Sequence, residues 1–190
     1  MDFLKQKGSF RNLKAYRKAE CIYDITYIFT HRYLSKGDRT VDQMVQAARS
    51  GKQNIAEGRA AGNTSAETEI KLMNVAKASL QELLVDYEDY LRVRNLELWG
   101  TDHPRYPQLR AFCLSHCDTN DYSVLSGKLN DCELANLAVC LIHQTDAMLY
   151  KLIELVKGDF MRNGGTKEAM YRARIQARNN PGKKKEEPER

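Results

Sequence analysis

Arg110 and His116 come closer than any other pair in this chain to a catalytic set. They offer an imidazole able to act as a general base and a guanidinium able to neutralise developing negative charge. They sit, however, in a proline-bearing connection rather than on a long helix. Cys113, His116, Cys117 and Cys132, with His103 nearby, supply the thiolates and imidazoles that zinc prefers. Structural zinc sites gather two well-spaced ligand pairs, and here the second pair is missing. Cys21, Cys113, Cys117, Cys132 and Cys140 therefore read as reduced, mostly buried thiols, an odd count at irregular spacing that does not suit a secreted disulfide framework. Glu57 has no His, Lys or metal motif beside it in sequence, so Asn54 and Glu57 are expected to hydrogen-bond between helices, or to the end of a neighbouring helix, rather than to move protons. No glycine-rich phosphate loop, HExxH pattern or nucleophile elbow is present. The sequence predicts no catalytic residue, no metal and no cofactor.

What remains is cationic. Arg49, Lys52 and Arg59 recur at spacings of three and seven, which places them on roughly one helix face, away from the apolar stripe. Arg172, Arg174 and Arg178, followed by Lys183 to Lys185, form a basic arm with Tyr171 available to stack on a base. The net charge of +5 is concentrated at the ends: residues 1–18 hold six basic and one acidic side chain, and residues 159–190 hold nine and five. The middle, 19–158, has 15 basic against 19 acidic residues. This distribution points to an anionic partner reached by basic arms, with RNA or DNA as candidates. A solvated helix face and a solubilising tail would carry the same residues.

These groups need long helices to position them, and the pattern supplies four. Tyr16, Ala19, Ile22, Tyr23, Thr26, Phe29 and Tyr33 mark one face of a helix over about 13–34, which Gly37 and Asp38 punctuate. A second helix over about 39–60 buries Val41, Met44, Val45, Ala48 and Ile55 and stops at Gly62-Asn63. Gly51 inside it costs about 1 kcal/mol relative to alanine, which points to a close helix crossing or to a local irregularity of the helix. Thr64 with Glu67 fits a capping box opening a third helix that runs to about Leu98 along Ile70, Met73, Ala76, Leu80, Leu83, Tyr87, Tyr90 and Leu91. Residues 99–130 form a connection with one short helix from Pro107 to His116. Asn130 and Glu133 cap a fourth helix whose Leu134, Ala138, Leu141, Thr145, Met148, Leu152 and Leu155 alternate steps of four and three as far as Gly158. A short basic helix is expected over 166–178, and the polar run from Asn180 onward is expected to be disordered.

At 190 residues with 42% apolar content, one domain with appendages is the economical reading. No apolar run approaches the roughly 18 residues of a membrane span, and the start MDFLKQKGSF lacks a secretory signal's apolar stretch. A cytoplasmic protein without membrane contact is expected.

Asn54-Ile55-Ala56-Glu57-Gly58, then Ser65, then Ala76-Lys77-Ala78-Ser79-Leu80-Gln81-Glu82-Leu83, resembles the four-helix-bundle family found in intervening sequences of 23S ribosomal RNA genes. Phe10 to Ala19 resembles that family's opening. The resemblance covers about residues 10–98, with the fourth helix completing it to Gly158. It implies an antiparallel up-and-down bundle that assembles as a ring-like homopentamer, with Asn54, Ile55, Glu57, Gly58, Ser79, Leu80, Glu82 and Leu83 as structural signature. Relatives in fold include an accessory protein of diversity-generating retroelements that binds nucleic acid and a reverse transcriptase. The chain departs from the family in its long 99–130 connection and its 159–190 extension. A second resemblance, of Arg110 and His116 to the arginine–histidine motif of all-helical HEPN ribonucleases, has Ala111 where a polar residue usually follows the arginine.

The expected organisation is an all-α bundle domain over 1–158, with the 99–130 insertion, and a basic, largely flexible extension over 159–190. The expected function is that of a non-enzymatic, oligomeric nucleic-acid-associated or adaptor protein. The alternatives are a protein-interaction scaffold and an HEPN-like ribonuclease.

Overall fold

Three polar side chains start the long helices by accepting hydrogen bonds from otherwise orphaned amides. Asp38 Oδ1 accepts from Thr40 N at 2.9 Å, and Ser65 Oγ accepts from Thr68 N at 3.1 Å. Asn130 Oδ1 accepts from Glu133 N at 2.9 Å while Glu133 Oε2 accepts from Asn130 N at 3.1 Å, a full capping box. The computed structural model describes residues 7–179. Over that span the chain is all-helical: after a 3-10 turn at Phe10–Asn12 come α1 (Lys14–Tyr33), α2 (Arg39–Ala61), α3 (Ala66–Val93), α4 (Tyr106–Ser115), α5 (Thr119–Ser126), α6 (Asp131–Asn163) and α7 (Thr166–Asn179). No strand occurs among the described residues. No described helix is long and apolar enough to cross a membrane.

The four long helices close a ring of contacts, α1 on α2, α2 on α3, α3 on α6 and α6 on α1, while α4 rests on α6 and α5 on α1. Their facing stripes form the core. Ile22, Phe29, Met44, Ile55, Met73, Leu80, Leu83, Leu134 and Leu141 are each fully buried. Phe29 meets Tyr87 and Tyr90 edge-on at 4.9 and 4.7 Å, and Tyr87 donates its buried hydroxyl to Thr26 Oγ1 at 3.0 Å.

Five expectations need correction. Ser65, not Thr64, caps α3: Thr64 donates its hydroxyl back to Ala61 O, and Glu67 pairs with Lys71 instead. That helix stops at Val93 rather than near Leu98, because Asn95 turns left-handed (φ 54°) and Leu96 N reaches back to Leu91 O at 2.9 Å. The connection holds two helices, α5 as well as α4, with Asp118 capping the second through Asn120 N at 3.0 Å. The last long helix passes straight through Gly158 and ends at Gly164, where φ is 73°. Leu155 on it is 67% exposed. Beyond Thr145 burial passes to Leu149, Ile153 and Val156, since a 3.6-residue turn drifts against a strict seven-residue repeat. The expected disorder beyond Asn180, and Lys183 to Lys185, lie outside the described residues.

Candidate nucleic-acid interface

Helix α7 has no buried residue. At about 100° per residue, Lys167, Tyr171, Arg174 and Arg178 follow the i, i+4, i+7, i+11 series and so share one stripe. All four are exposed, Tyr171 by 66%. Neither Arg174 nor Arg178 has an acidic partner among the described residues. Arg172 points elsewhere, donating to Asn163 O and, at 3.3 Å, to Glu168 O. It pins α7 to the end of α6 rather than joining Arg174 and Arg178. Thr166 donates its hydroxyl to Thr64 O, tying the helix's foot to the α2–α3 turn. The sequence singled out Tyr171 and two of the three cations on the stripe; Lys167 was legible from the same spacing.

Helix α2 presents less free charge than its sequence suggests. Arg49 is exposed, but Lys52 lies over the Tyr23 ring with its nitrogen 4.2 Å from the centroid. Arg59 is engaged twice, donating to Gly8 O at 3.2 Å and lying 3.8 Å from Glu69 Oε1. Glu69 is fully buried and also paired with Lys7. Its carboxylate occupies the space beside Gly62, where an added Cβ would overlap it. Room for this ion pair, not a left-handed turn, accounts for Gly62, whose φ is −62°.

Five of the eight signature residues, Ile55, Gly58, Ser79, Leu80 and Leu83, build the α2–α3 contact. Ile55, Leu80 and Leu83 are wholly buried. Gly51 and Gly58 allow the helices to approach: a Cβ at Gly51 would meet Leu80 Cδ2 at 2.9 Å, and one at Gly58 would meet Leu72 Cβ at 3.2 Å. Asn54 Nδ2 donates to Ser50 O at 2.9 Å, and the Ser50 and Ser79 hydroxyls bond across the crossing at 2.9 Å. The hydrogen bonds expected from Asn54 and Glu57 to a neighbouring helix are not made: Asn54 bonds within α2, to Ser50, and Glu57, like Glu82, faces solvent.

The insertion is held by a residue that sequence reasoning passed over. Lys18 on α1 is 1% exposed and donates to Cys113 O and, at 3.1 Å, to His116 O at the carbonyl end of α4. A cation there satisfies orphan carbonyls and opposes the helix dipole. Burial lowers the Lys18 pKa, and the nearby thiols Cys113, Cys117, Cys21 and Cys140 counter part of that effect. The same burial pushes the Cys21 thiol up to about 12. All five cysteines are free, and no metal-holding group of His, Cys, Asp or Glu forms among the described residues. His116 stacks on Phe112 at 4.2 Å, and its Nδ1 faces Phe112 O and Ser115 Oγ. Arg110 is exposed, and its carbonyl accepts from Gln144.

No family model, curated protein or solved structure matches this chain.

Proposed function

We propose that this chain is a non-enzymatic, self-associating nucleic-acid-binding protein of the intervening-sequence family it resembles. In this reading α1, α2, α3 and α6 form an antiparallel up-and-down four-helix bundle that carries a basic C-terminal helix against phosphates. The observation that carries it is the exposed stripe of Lys167, Tyr171, Arg174 and Arg178, with no acid opposite Arg174 or Arg178. Exposed cations gain by replacing condensed counterions on a phosphate chain, and one aromatic between them can stack on a base. The chain's negative middle would keep the anion at this arm and off the bundle wall. A homopentamer, implied by the resemblance, would repeat the arm and multiply its effective affinity.

The stacked, half-buried ring of His116 supports a packing role for the Arg110–His116 region rather than ribonuclease chemistry. A second reading, a protein-interaction scaffold, is favoured by the acidic groove on the opposite half of the α2–α3 pair.

Fluorescence anisotropy with mixed-sequence RNA and DNA across a salt series separates the two. Three phosphate contacts predict a slope of about −2 to −3 in log affinity against log salt. Arg174→Gln/Arg178→Gln should flatten that slope by about 1.4 to 1.8. Binding absent at low salt, or a slope unaltered by the double variant, would refute the proposal in favour of the scaffold.

A further inference from the structure

The outer face of the α2–α3 pair carries an open groove of about 780 Å³. Ser50 and Ser79 form its floor, Asp42 lies on one wall and Glu82 and Asp86 on the other, and Val85, 52% exposed, sits at the rim. No basic side chain lines it, and none of the three carboxylates has a cation beside it among the described residues. Burial, then the charges of Asp89 and Glu82, raise the Asp86 pKa. An incoming cation would relieve that repulsion.

One element of the chain has the complementary form. The α7 stripe spaces Arg174 and Arg178 one turn apart, as Glu82 and Asp86 are spaced on α3. Tyr171 and Ile175, 66% and 38% exposed, offer apolar surface of the kind Val85 would cover. We infer that the basic stripe of α7 docks into the acidic α2–α3 groove of a second copy of this chain, joining copies head to tail. The chain's own α7 is poorly placed to fill the groove. Its foot is tied to the α2–α3 turn at Thr64, whereas the groove occupies the far half of the pair, roughly 16 to 28 Å along the helices. Arg178 lies only about 18 Å beyond Thr166 along α7, enough to reach the near edge and not Asp42. A heterologous contact of this kind closes into a ring or runs on as a chain, according to the rotation between copies. It uses the same stripe as the nucleic-acid reading without depending on it, and the two contacts compete: an α7 seated in a groove is withheld from phosphates.

The test is light scattering of the full chain over a concentration series at low and high salt, with folding of every variant checked by circular dichroism. Wild type should self-associate, and high salt should weaken the association. Arg174→Glu/Arg178→Glu and Glu82→Arg/Asp86→Arg should each weaken it by at least about tenfold, and an equimolar mixture of the two variants should restore it. The neutral pair Glu82→Gln/Asp86→Asn should fall between. A monomer at every concentration, or groove variants that associate like wild type, overturns the inference, as does a mixture that fails to recover. Anisotropy on the neutral pair keeps the two proposals apart: Glu82→Gln/Asp86→Asn adds no cation and retains those of α7, so a nucleic-acid site on α7 survives in it while self-association is weakened.

Discussion

Gly51→Ala and Gly158→Ala make the same chemical change inside two long helices and should have opposite effects. In a helix interior, alanine is favoured over glycine by about 1 kcal/mol. At Gly158 the new Cβ would come no closer than 3.9 Å to the flexible end of Arg162, so that gain should appear in full. At Gly51 the Cβ would lie 2.9 Å from both Cγ and Cδ2 of Leu80, a side chain with no exposed surface. Relieving the overlap means displacing Leu80 or spreading α2 from α3, and overpacking of this sort costs about 1–3 kcal/mol. The net expectation is about 1 kcal/mol of stabilisation for Gly158→Ala and between none and about 2 kcal/mol of destabilisation for Gly51→Ala. Urea unfolding at equal slope would read the difference, and melting should follow at about 2–4 °C per kcal/mol for a chain of this size. Equal stabilisation by both substitutions would refute the claim that Gly51 exists to bring α2 against α3.

Lys18→Met should loosen the insertion, since Cys113 O loses its donor while His116 O keeps the Tyr122 hydroxyl at 2.9 Å; hydrogen exchange over 106–115 should accelerate. Because the folded Lys18 pKa is lowered, the unfolded chain holds that proton more tightly, and wild type should gain stability relative to Lys18→Met as pH rises toward 10.5. Matching pH slopes for the two proteins would contradict the buried cation. Cys21 works in the other sense: its thiol is raised from 9.0 to about 12, so the stability it contributes is complete below pH 9 and is lost as pH climbs through 12. Cys21→Ala should abolish that part of the alkaline loss. A thiol titration of the native protein should label Cys117 and Cys132, which are partly exposed, well before Cys21, Cys113 and Cys140, which are buried; uniform labelling would contradict the packing.

The long helices were readable because periodicity and capping are local. Met73, Ala76, Leu80, Leu83 and Tyr87 announce their stripe at steps of three and four, and Asn130 with Glu133 marks its helix start through a contact spanning three residues. Gly51 was legible as a crossing because glycine inside an otherwise good helix needs a packing reason. What stayed hidden depends on distant partners. The burial of Lys18 is set by carbonyls nearly a hundred positions away, so periodicity alone gave no sign of it. Arg59 and Lys52 looked like a basic stripe until Glu69, Gly8 and Tyr23 claimed them. Helix α5 escaped notice because its eight residues are too few for a periodic signal to rise above the surrounding polar sequence. On α7 the sequence grouped cations by proximity, and helical phase regroups them, removing Arg172 and adding Lys167.

The central claim is that the α7 stripe is the surface that meets nucleic acid, and photocrosslinking tests it most directly. The full chain would be bound to RNA carrying 4-thiouridine, irradiated and digested, and the modified peptides mapped. Adducts concentrated on the peptide containing Tyr171 and Arg174, lost at high salt, are the predicted result. Adducts confined to α1, α2 or α3, or none in a complex that retards the RNA, would contradict it.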